Sequence, residues 1–391
     1  MMPLPLMTSD PGSYARATIV RRKPQIIRQV IADYVYSEVI VQALEAFILE
    51  IASKPIQPLT EENPDVEFWN HELEQFLGKS WLEVPWYFAE TFFYRRLLEV
   101  VAYFQPGPFY LHNPFQVQKD LQIQSDIVKL SPALPSFRTL PVENAFSTLL
   151  HSTLWGNRAD LSNFTVKEQV SVGSTTLTER DNILIDHTAG VYVILSEGVE
   201  QVHFINDNVG ADILFDLVLA EFLLSQNWVQ KIVFHLKNHP FFVSDAMIGD
   251  IHSTLQLLIR HTDQAVSRVG RSLDKHIQSG KILLTDDAFW TSCLMFNQMP
   301  KHLVGALSQA DLVIIKGDVN YRRLLDDLHW PHTADFASIT SYFPASFVSL
   351  RTLKAEILVG LRPGQADGIQ AEDPDWLING KRGLIHLVTR N

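Results

Sequence analysis

The chain has 391 residues, 46% of them hydrophobic, which is more than one small core needs and points to two domains or one domain with a large appendage. Its 32 basic and 44 acidic residues give a formal charge of −12, which disfavours nucleic acid or an anionic membrane as a partner but leaves room for a small anion at a local cation or metal site. Cys293 is the only cysteine, so an intrachain disulfide and a cysteine-built zinc site are excluded.

The N-terminal stretch MMPLPLMTSDPGSYARA has no basic residue ahead of its short apolar start and does not read as a signal peptide. No run of eighteen uncharged apolar residues follows; Asp216 and Glu221 interrupt the most apolar stretch. The expectation is a cytoplasmic protein. Residues 1–165 read as a helical N-terminal domain. PQIIRQVIADYVYSEVIVQALEAFILEIAS and EVPWYFAETFFYRRLLEVVAYF carry apolar residues at three- and four-residue spacing, with Pro-rich breaks between them. Most of the second stripe reads as helix packing, with Glu90 and Arg95 as a charged face that could cap a cleft.

The rhythm changes near residue 180. TERDNILIDHTAGVYVILSE reads as a helix, and short apolar runs follow at 202–205, 231–236, 281–285, 312–316, 346–350 and 383–388. GLRPGQADGIQAEDPDW reads as a loop. Short buried strands alternating with helices predict an α/β domain over 166–391, a mainly parallel sheet covered on both faces. Ligands in such sheets bind beyond the carboxyl ends of the strands, so the residues after each run are the ones to weigh.

Those residues are Asn206, Asp207 and Asn208; Lys237, Asn238 and His239, with Asp245 further on; Lys316, Asp318, Asn320, Tyr321 and Arg322; and Arg351, Thr352, Lys354 and Glu356. Asp207, Asn208 and Asp245 are hard oxygen ligands that suit Mg²⁺ or Mn²⁺, with water and a substrate phosphate completing the shell. Lys316, Arg322, Arg351 and Lys354 suit a phosphate or carboxylate. Pattern alone favours a turn with a helix cap at 206–208, and Asp245 as the N-cap of the helix AMIGDIHSTL. His235 and His239 fall on a strand and its exit and read as structural, and Cys293 reads as core. No GxGxxG, GxxxxGK[ST] or GxSxG motif occurs.

The DN pair after a strand, VSD one unit later, KGDVNYR, and RTLK at Arg351–Lys354 together resemble the metal-dependent damage-control phosphatase family. The likeness is strongest to its third subfamily, the acidic-residue methyltransferase-like proteins. WYFAETFFYRR and LWGNRADLS resemble segments of the same subfamily, so the match spans roughly 80–365. The resemblance implies a helical N-terminal domain on a three-layer α/β/α domain. It implies a divalent ion (Mn²⁺, Mg²⁺, Co²⁺ or Ni²⁺) held by Asp207, Asn208 and Asp245. It implies a small phosphorylated metabolite, such as fructose 1-phosphate or fructose 6-phosphate, contacted by Asp318, Asn320, Tyr321, Arg322 and Lys354. Some relatives are described as protein-glutamate methyltransferases that use S-adenosylmethionine, which is the alternative activity. The family's first motif commonly has Glu where this chain has Asp212, and a small residue where it has Val209.

Overall fold

In the computed structural model, residues 3–156 and 182–390 are described. Seven strands among them form one sheet: β1 (Ile183–Asp186), β2 (Val199–Ile205), β3 (Val229–Leu236), β4 (Ile282–Asp286), β5 (Leu312–Lys316), β6 (Phe347–Thr352) and β7 (Gly383–Val388). Their order is β1-β7-β6-β5-β2-β3-β4. The five strands from β6 to β4 are mutually parallel, and β7 runs antiparallel to β6. The chain winds from β2 outward through β3 and β4, then returns to β5 on the other side of β2. The crevice between the carboxyl ends of β2 and β5 is therefore the topological switch point.

The strands are apolar because both faces are covered. Along β2 and β5, Val202, Phe204, Leu312 and Ile314 point into one core, while Ile205, Val313 and Ile315 point into the other, the two-residue alternation of a pleated strand. The first core includes helices from the early part of the chain: Gln116–Ile127, Leu130–Thr139 and Val142–Trp155 pack there with the helix Ala211–Ser225. A third core, from Ile19 to Phe115, joins the helices Lys23–Asp33, Glu38–Ser53, Val66–Glu74 and Trp86–Val100, and admits Phe241 from the loop after β3. The expected boundary at 165/166 lies outside the described residues, as does most of LWGNRADLS. The second core mixes Leu6, Ala15, Trp86 and Tyr87 with strand residues, so the helical part and the sheet share packing.

An N-terminal strap ties the parts together. Leu6 N–H donates to Asp327 O (3.0 Å), Leu6 O accepts from Trp86 N–H (2.8 Å), and Thr8 N–H donates to Val84 O (3.1 Å). No helix among the described residues is long and apolar enough to cross a membrane.

Two local expectations change. The stretch read as one helix from 178 holds β1, then the helix Thr188–Ser196. The run NILID is too short and too β-branched to stay helical, and Asp186 Oδ1 accepts the Thr188 N–H (2.9 Å) to begin the helix after it. The stretch read as a loop near 365 contains the two-turn helix Gln365–Glu372, which buries no residue and so shows no amphipathic pattern.

The second core also holds a buried histidine pair. His203 Nδ1 and His235 Nε2 lie 2.9 Å apart, and Trp290 packs on His235. Burial pushes His203 down to about 4 and His235 down to about 3, from an ordinary 6.5. Below 6.5 the unfolded chain takes protons that the folded chain refuses, so the pair's contribution is present above 6.5 and lost as pH falls. His235→Phe removes one such group. Its stability deficit relative to wild type is expected to shrink in acid, by up to about 1.4 kcal/mol per pH unit. Thermal melts of both proteins near neutral pH and two units lower check this.

Candidate active site

The site is built where two loops meet. β2 ends at Ile205, and the chain turns through Asn206, Asp207 and Asn208. The chain leaving β3 comes back alongside at Ser244–Ala246. Val209 N–H donates to Ser244 O (2.7 Å) and Ala246 N–H to Asp207 O (2.8 Å), while Asn208 faces Asp245 in an antiparallel bridge. Asp207 and Asp245 thereby line one cavity of about 170 Å³ at the switch point.

Neither aspartate caps a helix. The helix Ala211–Ser225 starts after Gly210, and its first amide, Ala211 N–H, goes to Asp126 Oδ2 (2.9 Å) from the helix Gln116–Ile127. Gly210 has φ +74°, and a Cβ there would stand 2.6 Å from that same oxygen, so glycine is required. The helix Ile248–Ile259 starts after Met247, whose N–H is taken by Asp250 Oδ2 (2.8 Å). Asn206 is structural: its amide donates to Asp216 Oδ2 (3.0 Å).

The aspartates are electrostatically strained. Burial, then the negative charges of Asp245 and Asp212, hold the Asp207 carboxyl well above the usual carboxylate range. Burial also raises Asp245, against the pull of Lys237 and Lys119. Lys237 Nζ stands 3.3 Å from Asp245 Oδ2, and Lys119 Nζ donates to Asp245 O (2.6 Å) and Asp250 Oδ2 (2.8 Å). Asp245 Oδ2 accepts no hydrogen bond in its buried position. Asn208 is oriented by Ser244, whose hydroxyl donates to Oδ1 (2.6 Å), and by Asp207 and Asp212, which accept from Nδ2 (2.8 and 3.1 Å).

Crowded, under-neutralised carboxylates are a fit for a divalent ion between Asp207 and Asp245, with the Asn208 carboxamide beside them. Among the described residues no three His, Cys, Asp or Glu side chains are arranged around an ion. The set of two carboxylates and one carboxamide suits an ion that keeps water and binds a substrate phosphate. Gly317, at φ +86°, opens the helix Gly317–Leu324 directly against Asp207. A Cβ there would lie 1.9 Å from Asp207 Oδ2.

The cations read from the strand ends divide into two groups. Lys316 and Lys354 line the cavity, with Asp318. Lys316 is committed, donating to Asp216 Oδ1 and Thr153 O (both 2.7 Å). Lys354 Nζ makes no hydrogen bond among the described residues, and its charge acts on Asp207. The other group faces the core. Arg351 is fully buried and brackets Asp318 Oδ1 (2.8 Å), Ala355 O (3.1 Å) and Ile357 O. Arg322 is fully buried, pairs with Asp327 Oδ1 (2.6 Å) and stacks on Trp86, 3.5 Å from the ring centre. Tyr321 lies under Arg351, and its hydroxyl accepts the Val359 N–H (3.2 Å). Asn320 donates to Asn206 O (3.1 Å) and Lys316 O (2.9 Å). These four hold the loops that carry Asp318 and Lys354 and do not line the cavity.

Other side chains in the wall were not legible. Tyr14, Arg22, Trp86 and Glu90 come from the helical part. Only Glu90 stood out in the sequence, and it pairs with buried Lys23. Its companion Arg95 faces away, bound by Asp65 (2.6 and 2.7 Å). His239 bonds Pro240 O and lines a separate apolar pocket with Phe68 and Phe104. Cys293 is partly buried against the helical core.

Removing one charge from this cluster is expected to stabilise the metal-free protein. Asp207→Asn keeps the shape and an acceptor, and should raise stability by about 1–2 kcal/mol in chelator. The gain should fade in acid, as the carboxyl protonates in the wild type. Melting curves across pH decide; a lower melting temperature for the variant contradicts the strained-carboxylate assignment.

Comparison with known proteins agrees with this architecture. The family model for the damage-control phosphatase ARMT1-like domain matches residues 18–369. The chain is 32% identical to damage-control phosphatase ARMT1 of Bos taurus and 31% identical to that of Homo sapiens, in each case over 98% of both chains. A crystal structure of a DUF89 family protein from Pyrococcus horikoshii shares the fold at TM-score 0.50 and 14% identity, covering 95% of this chain and 97% of that one. The chain belongs to the damage-control phosphatase ARMT1-like family.

Proposed function

We propose that the chain is a cytoplasmic, divalent-metal-dependent phosphomonoester hydrolase acting on small sugar phosphates, such as fructose 1-phosphate or fructose 6-phosphate, in metabolite damage control. The phosphatase part rests on relatives named damage-control phosphatases. The observation that carries the chemistry is the juxtaposition of Asp207 and Asp245 beside Lys354, whose ammonium has no hydrogen-bond partner among the described residues.

Asp207, Asn208 and Asp245 would hold the ion, Mn²⁺, Mg²⁺, Co²⁺ or Ni²⁺. When bound, it would polarise a phosphoryl oxygen and acidify a water at neutral pH. Lys354 supplies a compact charge with three donors for the phosphate. Its own backbone N–H reaches Asp318 Oδ1 (3.3 Å), and Arg351 fixes that carboxylate from behind. The helix Gly317–Leu324 turns its positive end to the cavity. These groups orient a phosphate ester and favour charge that develops on its oxygens. A methyltransferase reading finds less support: Asp212 is the residue where the family commonly has Glu, and it accepts from Asn208.

Phosphate release from fructose 1-phosphate is expected with Mn²⁺ or Mg²⁺ and none in chelator. Asp207→Ala should abolish it while the fold survives, as read by circular dichroism. Undiminished turnover in chelator, or tight adenosylmethionine binding by calorimetry with methyl transfer, would sink the proposal. A second prediction isolates the phosphate contact. Lys354→Met should raise KM about tenfold or more, the size of a lost charge-assisted hydrogen bond, and leave metal affinity little changed. Steady-state kinetics and metal titration on the same variant separate the two.

A further inference from the structure

The outer wall of the cavity belongs to the first helix, and its shape depends on a π-turn. Tyr14–Ala17 runs into a π-helical segment, Thr18–Arg22, before the helix Lys23–Asp33. The Lys23 N–H donates to Thr18 O, five residues back. Such bulges recur at functional sites because one inserted residue re-aims its neighbours. Here adjacent cations point opposite ways. Lys23 goes inward, pairs with Glu90 Oε2 and lies 4.5 and 4.3 Å over the Phe93 and Tyr94 rings. Arg22 stays outward, lines the cavity, and faces the Tyr14 hydroxyl and the Glu90 carboxylate.

The wall is anchored on both sides. Trp86 Nε1 donates to Thr18 Oγ1 inside the π-turn (2.7 Å). Tyr14 N–H donates to Glu356 Oε1 (3.0 Å), two residues beyond Lys354. The segment that carries Arg22 is thereby anchored beside the loop of Lys354, and Arg22 shares a side-chain hydrogen bond with Tyr14. Its neighbour Glu90 commits Oε2 to Lys23, while Oε1 has no hydrogen bond among the described residues.

A phosphate seated between the aspartates and Lys354 leaves the alcohol half of the ester facing this wall. The wall offers a guanidinium with several donors, a carboxylate acceptor and a phenol that does both. A polyol satisfies such a set, because each hydroxyl donates and accepts. An apolar alcohol leaves the same groups desolvated and unpaired, which is where polar pockets discriminate best. We propose that Arg22, backed by Tyr14 and Glu90, is a specificity-determining contact for the alcohol half of the substrate and selects a polyhydroxylated, sugar-type alcohol. The inference rests on the phosphate-ester reading, and its test keeps the two apart.

Wild type, Arg22→Met and Arg22→Lys are assayed with Mn²⁺ on fructose 1-phosphate and on p-nitrophenyl phosphate, whose alcohol has no further hydroxyl. The ratio of kcat/KM for the sugar ester to that for the aryl ester should fall about tenfold or more in Arg22→Met, mainly through KM of the sugar ester. Arg22→Lys should retain part of it. An unchanged ratio, including equal loss on both esters, overturns the assignment. If wild type turns over neither ester, the phosphatase reading fails instead. Calorimetric titration with fructose 1-phosphate then decides Arg22. About tenfold weaker binding by Arg22→Met upholds it; equal binding, or none by wild type, overturns it. Arg22 is exposed, so matching melting temperatures confirm that the variants fold.

Discussion

Two backbone hydrogen bonds, Val209 N–H to Ser244 O and Ala246 N–H to Asp207 O, hold the loops after β2 and β3 together. They force two carboxylates that repel each other into one small space. Each bond contributes on the order of 1 kcal/mol, less than a close pair of like charges costs where water is excluded. The rest of the site can be understood as what makes this arrangement tolerable. Lys237 and Lys119 attend Asp245, Lys354 acts on Asp207, and the oxygen set between them suits a cation that the chain itself does not supply.

A second tier of buried charges fixes the frame. Lys316 with Asp216 and Arg322 with Asp327 are nearly solvent-free pairs, and Arg351 is a buried cation on the part-buried Asp318. Desolvation consumes most of what such pairs gain, so they are poor stabilisers overall. Their service here is positional. Arg351 also gathers the Ala355 and Ile357 carbonyls, which closes the loop carrying Lys354 back onto the helix Gly317–Leu324. Arg322 under Trp86 joins that helix to the start of the helix Trp86–Val100, so the α/β part and the helical part meet through a cation stacked on an aromatic ring.

The helical part is thus more than a lid. Its last three helices before residue 156 share the core of the sheet, and its first helix brings Tyr14 and Arg22 to the cavity. The strap through Leu6 and Thr8 fastens both ends of this arrangement. The cavity wall is therefore made by both parts of the chain.

The sequence by itself determined the sheet. Runs such as LVII in β5 are apolar on both faces because both faces are buried, and that constraint is local enough to read residue by residue. It also singled out the loops at the strand ends, which in a doubly wound sheet converge on one crevice, and Asp207, Asn208, Asp245, Lys316, Asp318 and Lys354 all line the cavity there. Only the tertiary structure decided which way the charged side chains point. Lys354 and Arg351 sit three residues apart in one motif, yet one opens to the cavity and the other is buried, because the carbonyls that claim Arg351 come from a fold-back no composition records. The exposed helix at 365 and the short β1 escaped for the opposite reason: neither presents the periodic apolar face by which an element shows itself. Arg22 was silent because a π-turn, not a residue type, aims it at the cavity. That turn is met by Trp86, whose indole N–H donates to Thr18 from a helix 68 residues further along the chain.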